Sequence, residues 1–279
     1  MDSSRIAVTG ASGALGGRIA RRLADRGIPL RLVVREASRA PKLEEAEVAT
    51  ATYLDRPAMV GALRGIDTVF FVSGFESEDR LEQHKAAVDS FVEAGIERVV
   101  YTSFLGAAPD AVFTFARQHF HTEQYLEAAG LQFVSLRNSL YMDELPNMVV
   151  DGVIRGPAGE GKFAPVARDD IADVAVALLL DRGHPTTRYD VTGQELVTMG
   201  DVAKVLSETR GEPVVFVNET LEEAYVSRAH YGASEYEVAG WVTSYHAIAA
   251  GELEVVSGTV EHLAGHPPIS LRILLESSR

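Results

Sequence analysis

Short apolar segments alternate with longer amphipathic segments along the first half of the chain, a pattern that predicts strands separated by helices. Several of these strands have apolar residues at consecutive positions, which is typical of strands buried on both faces of a sheet. The pattern therefore predicts a parallel sheet covered by helices on both sides, a doubly wound α/β fold. The strands are predicted over Ile6–Val8, Leu30–Val34, Glu47–Ala51, Asp67–Val72, Arg98–Thr102 and Phe133–Leu136, and the clearest helices over Arg56–Leu63, up to Gly95 and over Phe113–Ala129.

The alternation breaks after Arg137, where many glycine and proline residues predict a loop-rich segment. Regular patterns then return, and the chain from Leu221 to about Ala250 is predicted to be mostly helical. We expect two interwoven domains: a sheet domain over residues 1–145, to which parts of 166–195 return, and a smaller, mostly helical domain over residues 146–279. The elements predicted between Arg137 and Leu221 are a helix over Asp170–Leu180, a strand over Arg188–Thr192, a helix over Asp201–Thr209 and a strand over Val214–Val217.

Three glycines at a three-residue spacing stand where the first predicted strand turns into a helix. Gly10 can adopt a backbone conformation that other residues avoid, Gly13 has no side chain to keep a pyrophosphate away, and Gly16 lets helix and strand pack closely. The N–H groups and the positive dipole end of the helix then face the phosphates. This context predicts a Rossmann-type dinucleotide site formed by Gly10, Ala11, Ser12, Gly13, Ala14, Leu15 and Gly16. The sheet domain is then a dinucleotide-binding domain, and the smaller domain a substrate domain.

The amino-acid composition excludes several kinds of active site and binding partner. The 279 residues include no cysteine, which excludes disulfides, thiolate catalysis and cysteine-ligated zinc. The formal net charge of −14 argues against binding nucleic acid through a basic surface, and no apolar run is long enough to span a bilayer. The chain has no His-Glu-x-x-His motif and no signal-peptide pattern. We expect a cytoplasmic protein that binds a small molecule and no metal, nucleic acid or membrane.

Further motifs follow the glycine-rich one in order along the chain, namely Tyr101–Ser103, His119 with Thr122–Glu123, Leu136–Tyr141 and Arg168–Ala172. Together with Val8–Gly17 they resemble the NmrA-like group of atypical short-chain dehydrogenases/reductases, in particular its quinone oxidoreductase 2 and triphenylmethane reductase enzymes. The resemblance covers most of the chain and is loose from about Leu221 onwards. It implies a Rossmann fold, NADPH as the cofactor, and a quinone or similar flat acceptor as the substrate.

The end of the second strand bears on the choice between NAD and NADP. Arg35 falls at the residue by which the family discriminates the two cofactors, and Arg39 and Lys42 add positive charge nearby. A guanidinium suits the 2′-phosphate of NADP(H), because it forms paired, charge-assisted hydrogen bonds. In the alternative, Arg35 is a solvated loop residue and Glu36 binds the ribose of NAD. We favour NADP(H).

Ordinary short-chain dehydrogenases carry a Tyr-x-x-x-Lys pair on the helix after the fifth strand, and the tyrosine protonates the carbonyl oxygen. Phe115 and His119 occupy the corresponding positions here, and phenylalanine has no proton to give. A quinone or a cationic dye accepts hydride without a positioned acid, so reduction of such acceptors is compatible with this change. His119 is the candidate catalytic residue, through a hydrogen bond to ribose or substrate; the alternative is a structural or solvent-facing histidine.

The remaining candidates lie at strand ends or on loops. Ser103 is expected either to face the nicotinamide or to cap its strand, and Asn138 to bond the nicotinamide carboxamide. Ser73 and Gly74 either allow the cofactor close approach or simply form a turn. A flat acceptor suits an apolar pocket, although core packing explains each candidate side chain alone. The candidates for such a pocket are Phe75, Phe104, Tyr141 and Trp241.

Functions from different classes fit these features. One is an NADPH-dependent reductase of quinones or similar flat aromatic acceptors. The second is a redox-sensing regulator that binds NADP(H) without turnover, and the missing tyrosine is compatible with it. A third is an NADP-dependent reductase or isomerase of a small natural product.

Overall fold

The structure is a computed structural model that describes residues 5–277. Its strands are β1 (Ile6–Thr9), β2 (Leu30–Val34), β3 (Ala46–Thr50), β4 (Thr68–Phe71), β5 (Arg98–Phe104), β6 (Gln132–Asn138), β7 (Val153–Gly156), β8 (Thr187–Val191) and β9 (Val215–Asn218). Its helices are α1 (Ala14–Ala24), α2 (Arg56–Ala62), α3 (Arg80–Ala94), α4 (Thr114–Ala128), α5 (Arg168–Leu180), α6 (Met199–Arg210), α7 (Leu221–Arg228), α8 (Glu235–Ala249), α9 (Thr259–Ala264) and α10 (Leu271–Ser277). No helix within this range is long and apolar enough to cross a membrane.

A parallel sheet of seven strands dominates the described part of the chain, in the order β3-β2-β1-β4-β5-β6-β8. β1 pairs in parallel with β2 on one side and β4 on the other, with Ile6 opposite Leu30 and Thr68. The order reverses between β1 and β4, where doubly wound sheets bind ligands beyond the carboxyl ends of their strands. The predicted Rossmann-like α/β fold is confirmed.

The first of two compact units comprises the chain up to Ser103 together with Phe120–Arg137 and Ile171–Tyr189. Its core is built from the continuous apolar strands that the sequence pattern predicted, because β1 and β4 are buried at every position. Aromatic rings fill the space between sheet and helices; Phe71 lies edge-on to Phe91, with their centroids 5.2 Å apart. This unit carries the glycine-rich turn.

The second unit comprises Phe104–His119, Asn138–Asp170 and the chain from Asp190 onwards. It contains a separate pair of parallel strands, β7 and β9, with Val153 opposite Val215. β7 and a 3₁₀ helix over Met142–Met148 lie in the segment expected to be loop-rich, so that expectation was incomplete. The apolar part of β7 is only Val153 and Ile154, between Gly152 and Arg155, and is too short to show a period.

Candidate functional site

The turn from β1 into α1 is shaped by its glycines. Gly10 has a φ of +58°, and its carbonyl accepts a hydrogen bond from the Gly13 N–H at 2.9 Å. A Cβ added at Gly16 would overlap the Gly10 carbonyl, whereas one at Gly13 would only approach it, at 3.2 Å. Helix packing therefore requires glycine at position 16, whereas glycine at position 13 keeps one side of the turn free of a side chain. That side exposes Ser12, Gly13 and Ala14, while Ala11 and Leu15 are buried.

The N-terminus of α1 has no side chain to cap it. Its N-cap residue is Gly13, and the first turn contains no acidic residue. The helical hydrogen bonds begin with the Gly17 N–H, which donates to the Gly13 carbonyl at 2.9 Å. The amides of Ala14–Gly16 precede that bond and stand at the positive end of the helix dipole. This arrangement fits a bound pyrophosphate.

Arg35 follows β2 directly and its side chain is exposed. It forms no hydrogen bond or ion pair with any other residue in the range 5–277. The neighbouring carboxylate is differently placed, because Glu36 accepts a hydrogen bond from the Ser38 hydroxyl in the short 3₁₀ turn Ala37–Arg39. The guanidinium is thus available for an anionic ligand, while the carboxylate already has a local partner.

The segment after β4 contains Ser73, Gly74 and Phe75. The Ser73 N–H donates to the Thr102 hydroxyl oxygen at 2.8 Å, and the Gly74 N–H donates to His84 Nε2 at 2.8 Å. Both candidates are half-buried, and their backbone is held by side chains from β5 and α3. Phe75, a candidate for the substrate pocket, is 76 % exposed.

Ser103, at 4 % exposure, donates its hydroxyl proton to Glu123 on α4 over 2.7 Å. The same buried carboxylate accepts hydrogen bonds from Arg137 at 2.7 and 3.0 Å and from Arg188 at 2.8 Å. Burial raises the pKa of Glu123, but the hydrogen bonds from Arg137 and Ser103 and the nearby cationic charge outweigh it, so the pKa lies below its ordinary value. Ser103 therefore retains only its acceptor lone pairs for a ligand.

His119, the candidate catalytic residue, is buried in the second unit, at 6 % exposure. Its ring stacks on Phe104, a candidate pocket residue, with centroids 6.4 Å apart and an interplanar angle of 29°. Phe104 in turn lies edge-on to Phe113 at 4.7 Å. The structure thus places a catalytic and a substrate candidate side by side.

Phe115, at the position expected for the proton donor, is packed in an apolar core. It is 1 % exposed and belongs to the apolar core of the second unit. The tip of its ring lies over Gly240 on α8, where an added Cβ would overlap it. The ring also contacts Tyr236, with ring centroids 5.1 Å apart. Position 115 is therefore a packing position.

Asn138 ends β6 and is 1 % exposed. Its backbone carbonyl accepts a hydrogen bond from the Leu105 N–H at 2.9 Å. Its side-chain amide is different, because neither Oδ1 nor Nδ2 has a hydrogen-bond partner in the described part of the chain. An unpaired buried amide is costly, and a ligand carboxamide, with one acceptor and one donor group, complements it.

The other aromatic candidates have different neighbours. The Arg168 guanidinium lies 4.7 Å from the centroid of the Tyr141 ring. Trp241 is 37 % exposed and lies edge-on to Tyr231, with centroids 6.1 Å apart. Phe75 belongs to the first unit. Of the pocket candidates, Phe104 is in ring contact with His119.

Sequence reasoning missed the side chains that hold the candidate loop after β4, namely Thr9, Tyr53, His84 and Thr102. Thr9 and Thr102 lie within the motifs already described, but no motif shows that they hold this loop. Tyr53 and His84 lie outside every motif, and His84 is ten residues from Gly74 in sequence. Glu123 was noted only as part of a family motif. No group of three or more metal-binding side chains occurs within residues 5–277.

Comparison with known proteins covers almost the whole chain. The NAD(P)H azoreductase of Xenophilus azovorans is 30 % identical over 94 % of this chain and 93 % of its own length. Quinone oxidoreductase 2 of Escherichia coli is 28 % identical over 95 % of this chain and 96 % of its own, and its crystal structure with NADPH superposes with a TM-score of 0.89, covering 98 % and 99 % of the two chains.

The triphenylmethane reductase of a Citrobacter species, solved in complex with NADP(H), gives a TM-score of 0.86 at 27 % identity and covers 98 % of this chain and all, 100 %, of its own. The model of the NmrA-like family matches residues 2–256. The glycine-rich turn, the strand order and these matches agree, and the chain belongs to the NmrA-like family.

Proposed function

We propose that this protein is an NADPH-dependent reductase that transfers hydride to a quinone or a similar flat aromatic acceptor. It is an NAD(P)H-dependent oxidoreductase, in line with the azoreductase and quinone oxidoreductase that resemble it along nearly their whole lengths. The cofactor NADP(H) is the one named with its two structural neighbours. Residues of this chain are suited to three groups of this cofactor: its pyrophosphate, its 2′-phosphate and its carboxamide.

The fit rests on three features of the described residues. The uncapped amides at the start of α1 suit a pyrophosphate, and the exposed, unpaired Arg35 suits a 2′-phosphate. The buried amide of Asn138 has no protein partner, and we assign it to the nicotinamide carboxamide. Ser73, Gly74 and Ser103 are proposed to contact the cofactor through backbone and hydroxyl oxygen.

One observation supports the choice of acceptor: Phe115, the residue expected in place of the proton-donating tyrosine of ordinary short-chain dehydrogenases, is buried in an apolar core. When bound, NADPH supplies the hydride. The chain's task is then to orient cofactor and acceptor, and a quinone takes its proton from water after the hydride arrives. His119, stacked on Phe104, is proposed to donate or accept a hydrogen bond at the ribose or the acceptor.

The test is NADPH oxidation by the purified protein with a quinone, an azo dye, a triphenylmethane dye and a simple ketone. We expect turnover of one or more flat acceptors and none of the ketone. Brisk ketone reduction would show that another residue donates the proton. Tight NADPH binding without turnover of any acceptor would instead favour a redox-sensing regulator.

Variants at His119 refine the test. We expect His119→Ala to lower turnover of the accepted substrate, and His119→Asn to retain more of it, because asparagine keeps a hydrogen-bonding group. Equal activity of His119→Ala and the wild type would leave His119 with a packing role only.

A further inference from the structure

Side chains, rather than strand ladders, hold the backbone that follows β4. β4 ends at Phe71, and the next three residues leave the sheet. The Val72 N–H donates to Thr9 Oγ1 at 2.9 Å, and the Val72 carbonyl accepts from Tyr53 Oη at 2.5 Å. Together with the bonds already described at Ser73 and Gly74, every N–H of Val72–Gly74 has a side-chain acceptor.

These bonds meet the requirement that half-buried backbone groups find partners. They also fix the loop to three separate elements, since Thr9 ends β1, Thr102 lies on β5 and His84 lies on α3. All of these residues belong to the first unit. The bond that the Gly74 N–H donates to His84 restrains a glycine, the residue type with the greatest backbone freedom.

His84 is built into its position. It is 1 % exposed and lies edge-on to Phe71 and Tyr101, with ring centroids 5.1 and 5.8 Å away. Its Nδ1 lies 2.9 Å from the hydroxyl of the buried Thr122 on α4. Since Nε2 accepts from the Gly74 N–H, the proton of the neutral ring is on Nδ1 and is donated to Thr122. Burial, with the charge of Arg80, lowers the pKa of His84 to about 3, so the ring is neutral.

We propose that His84 is a positioning residue for the cofactor: it holds the Gly74 N–H, and with it the Ser73–Gly74 backbone, in the conformation that receives NADPH. The inference rests on the proposed function, in which Ser73 and Gly74 contact the cofactor. The next residue, Phe75, is 76 % exposed, so the bond to His84 restrains the backbone just before the chain reaches the surface.

Two substitutions of similar polarity separate this role from simple packing. Glutamine places its amide oxygen where histidine has Nε2, within reach of Gly74. Asparagine is shorter and occupies only the Nδ1 position, next to Thr122. His84→Gln and His84→Asn therefore differ mainly in the bond to Gly74, and both remove the aromatic contacts.

The experiment measures the dissociation constant of NADPH by fluorescence titration and the unfolding midpoint for the wild type and both variants. We expect His84→Gln to bind NADPH within about twofold of the wild type, and His84→Asn to bind about tenfold more weakly, as for the loss of one well-placed hydrogen bond. The two variants should unfold at similar denaturant concentrations.

Equal NADPH affinity in the two variants, or a loss that follows the unfolding midpoint alone, would overturn the proposal. If both unfold, Thr122→Val provides a second test, because the ring stays but loses the hydroxyl that holds its Nδ1 side in place. We then expect weaker NADPH binding, and wild-type affinity would overturn the proposal. Failure of the wild type itself to bind NADPH would instead reject the proposed function.

Discussion

The ring of Phe115 packs against Gly240 on α8, so closely that a Cβ at position 240 would overlap its para carbon. Only glycine at position 240 leaves room for this ring. The residue predicted to replace the ordinary proton donor is thus held by a tight packing contact in the apolar core of the second unit. Phenylalanine at position 115 therefore contributes to the packing of the second unit, to which Gly240 also belongs.

Phe115→Tyr is therefore expected to reduce stability without adding an acid. A hydroxyl buried in this apolar core costs roughly 1–3 kcal/mol when it gains no hydrogen bond. Denaturant unfolding should show this loss, while the quinone turnover of the folded variant stays close to that of the wild type. Phe115→Leu serves as a control that removes the aromatic ring without adding a polar group. Ketone reduction by Phe115→Tyr would contradict this account of position 115.

NADPH is expected to bind more tightly than NADH, because Arg35 is exposed and unpaired within residues 5–277 while Glu36 is bonded to Ser38. Hydrogen bonds to charged groups contribute on the order of 1.5–3 kcal/mol. Arg35→Ala should lose about that much NADPH affinity and leave NADH affinity nearly unchanged. Fluorescence titration of both cofactors measures this. Glu36→Gln is the matched control, and a loss of NADH binding there would favour a ribose contact by Glu36.

Two glycines of the turn should respond differently to valine. Gly13 has a φ of −88° and a ψ of 174°, which valine adopts readily, and its side faces solvent. Gly13→Val is expected to stay folded and to lose NADPH binding. Gly16→Val should unfold more easily, since a Cβ there overlaps the Gly10 carbonyl. Circular dichroism and NADPH titration distinguish the two. Normal NADPH affinity in folded Gly13→Val would mean that the cofactor lies elsewhere.

Glu123→Gln should destabilise the first unit at neutral pH by about 3 kcal/mol, the low end for a buried ion pair, because Arg137 and Arg188 both reach solvent. The folded pKa of Glu123 lies below the ordinary 4.5. Its ionisation therefore stabilises the fold above about that pH, and the contribution is lost as the pH falls through the folded pKa. Unfolding measured at pH values above and below this range should show the wild-type advantage shrinking in acid. A constant difference would contradict the assignment.

The sequence predicted the sheet strands well because their apolar runs are strong. Leu30–Val34 matches β2 at both ends, and Gly95 ends α3 with a φ of +76° as its position suggested. The conformations of Gly10 and Gly16 followed from their place in the motif. β7 was missed because its apolar part is two residues long, and α9 and α10 lie beyond the predicted helical region.

The candidate site was less accessible to sequence. Contacts such as that of His84 with Gly74 depend on where α3 packs against the sheet, and no local sequence pattern predicts this position. Likewise, the sequence does not show that Glu123 accepts the hydroxyl proton of Ser103. The assignment of a dinucleotide-binding and a substrate role to the two domains, and the roles of the individual site residues, stay predictions.

The proposed reaction passes hydride from NADPH to a flat acceptor without a protein acid. It is tested by single-turnover experiments with each quinone and dye in turn, comparing NADPH with NADPH deuterated at the transferred position. We expect stoichiometric reduction of at least one acceptor, and slower reduction with the deuterated cofactor. Tight NADPH binding with no oxidation by any quinone or dye would contradict it.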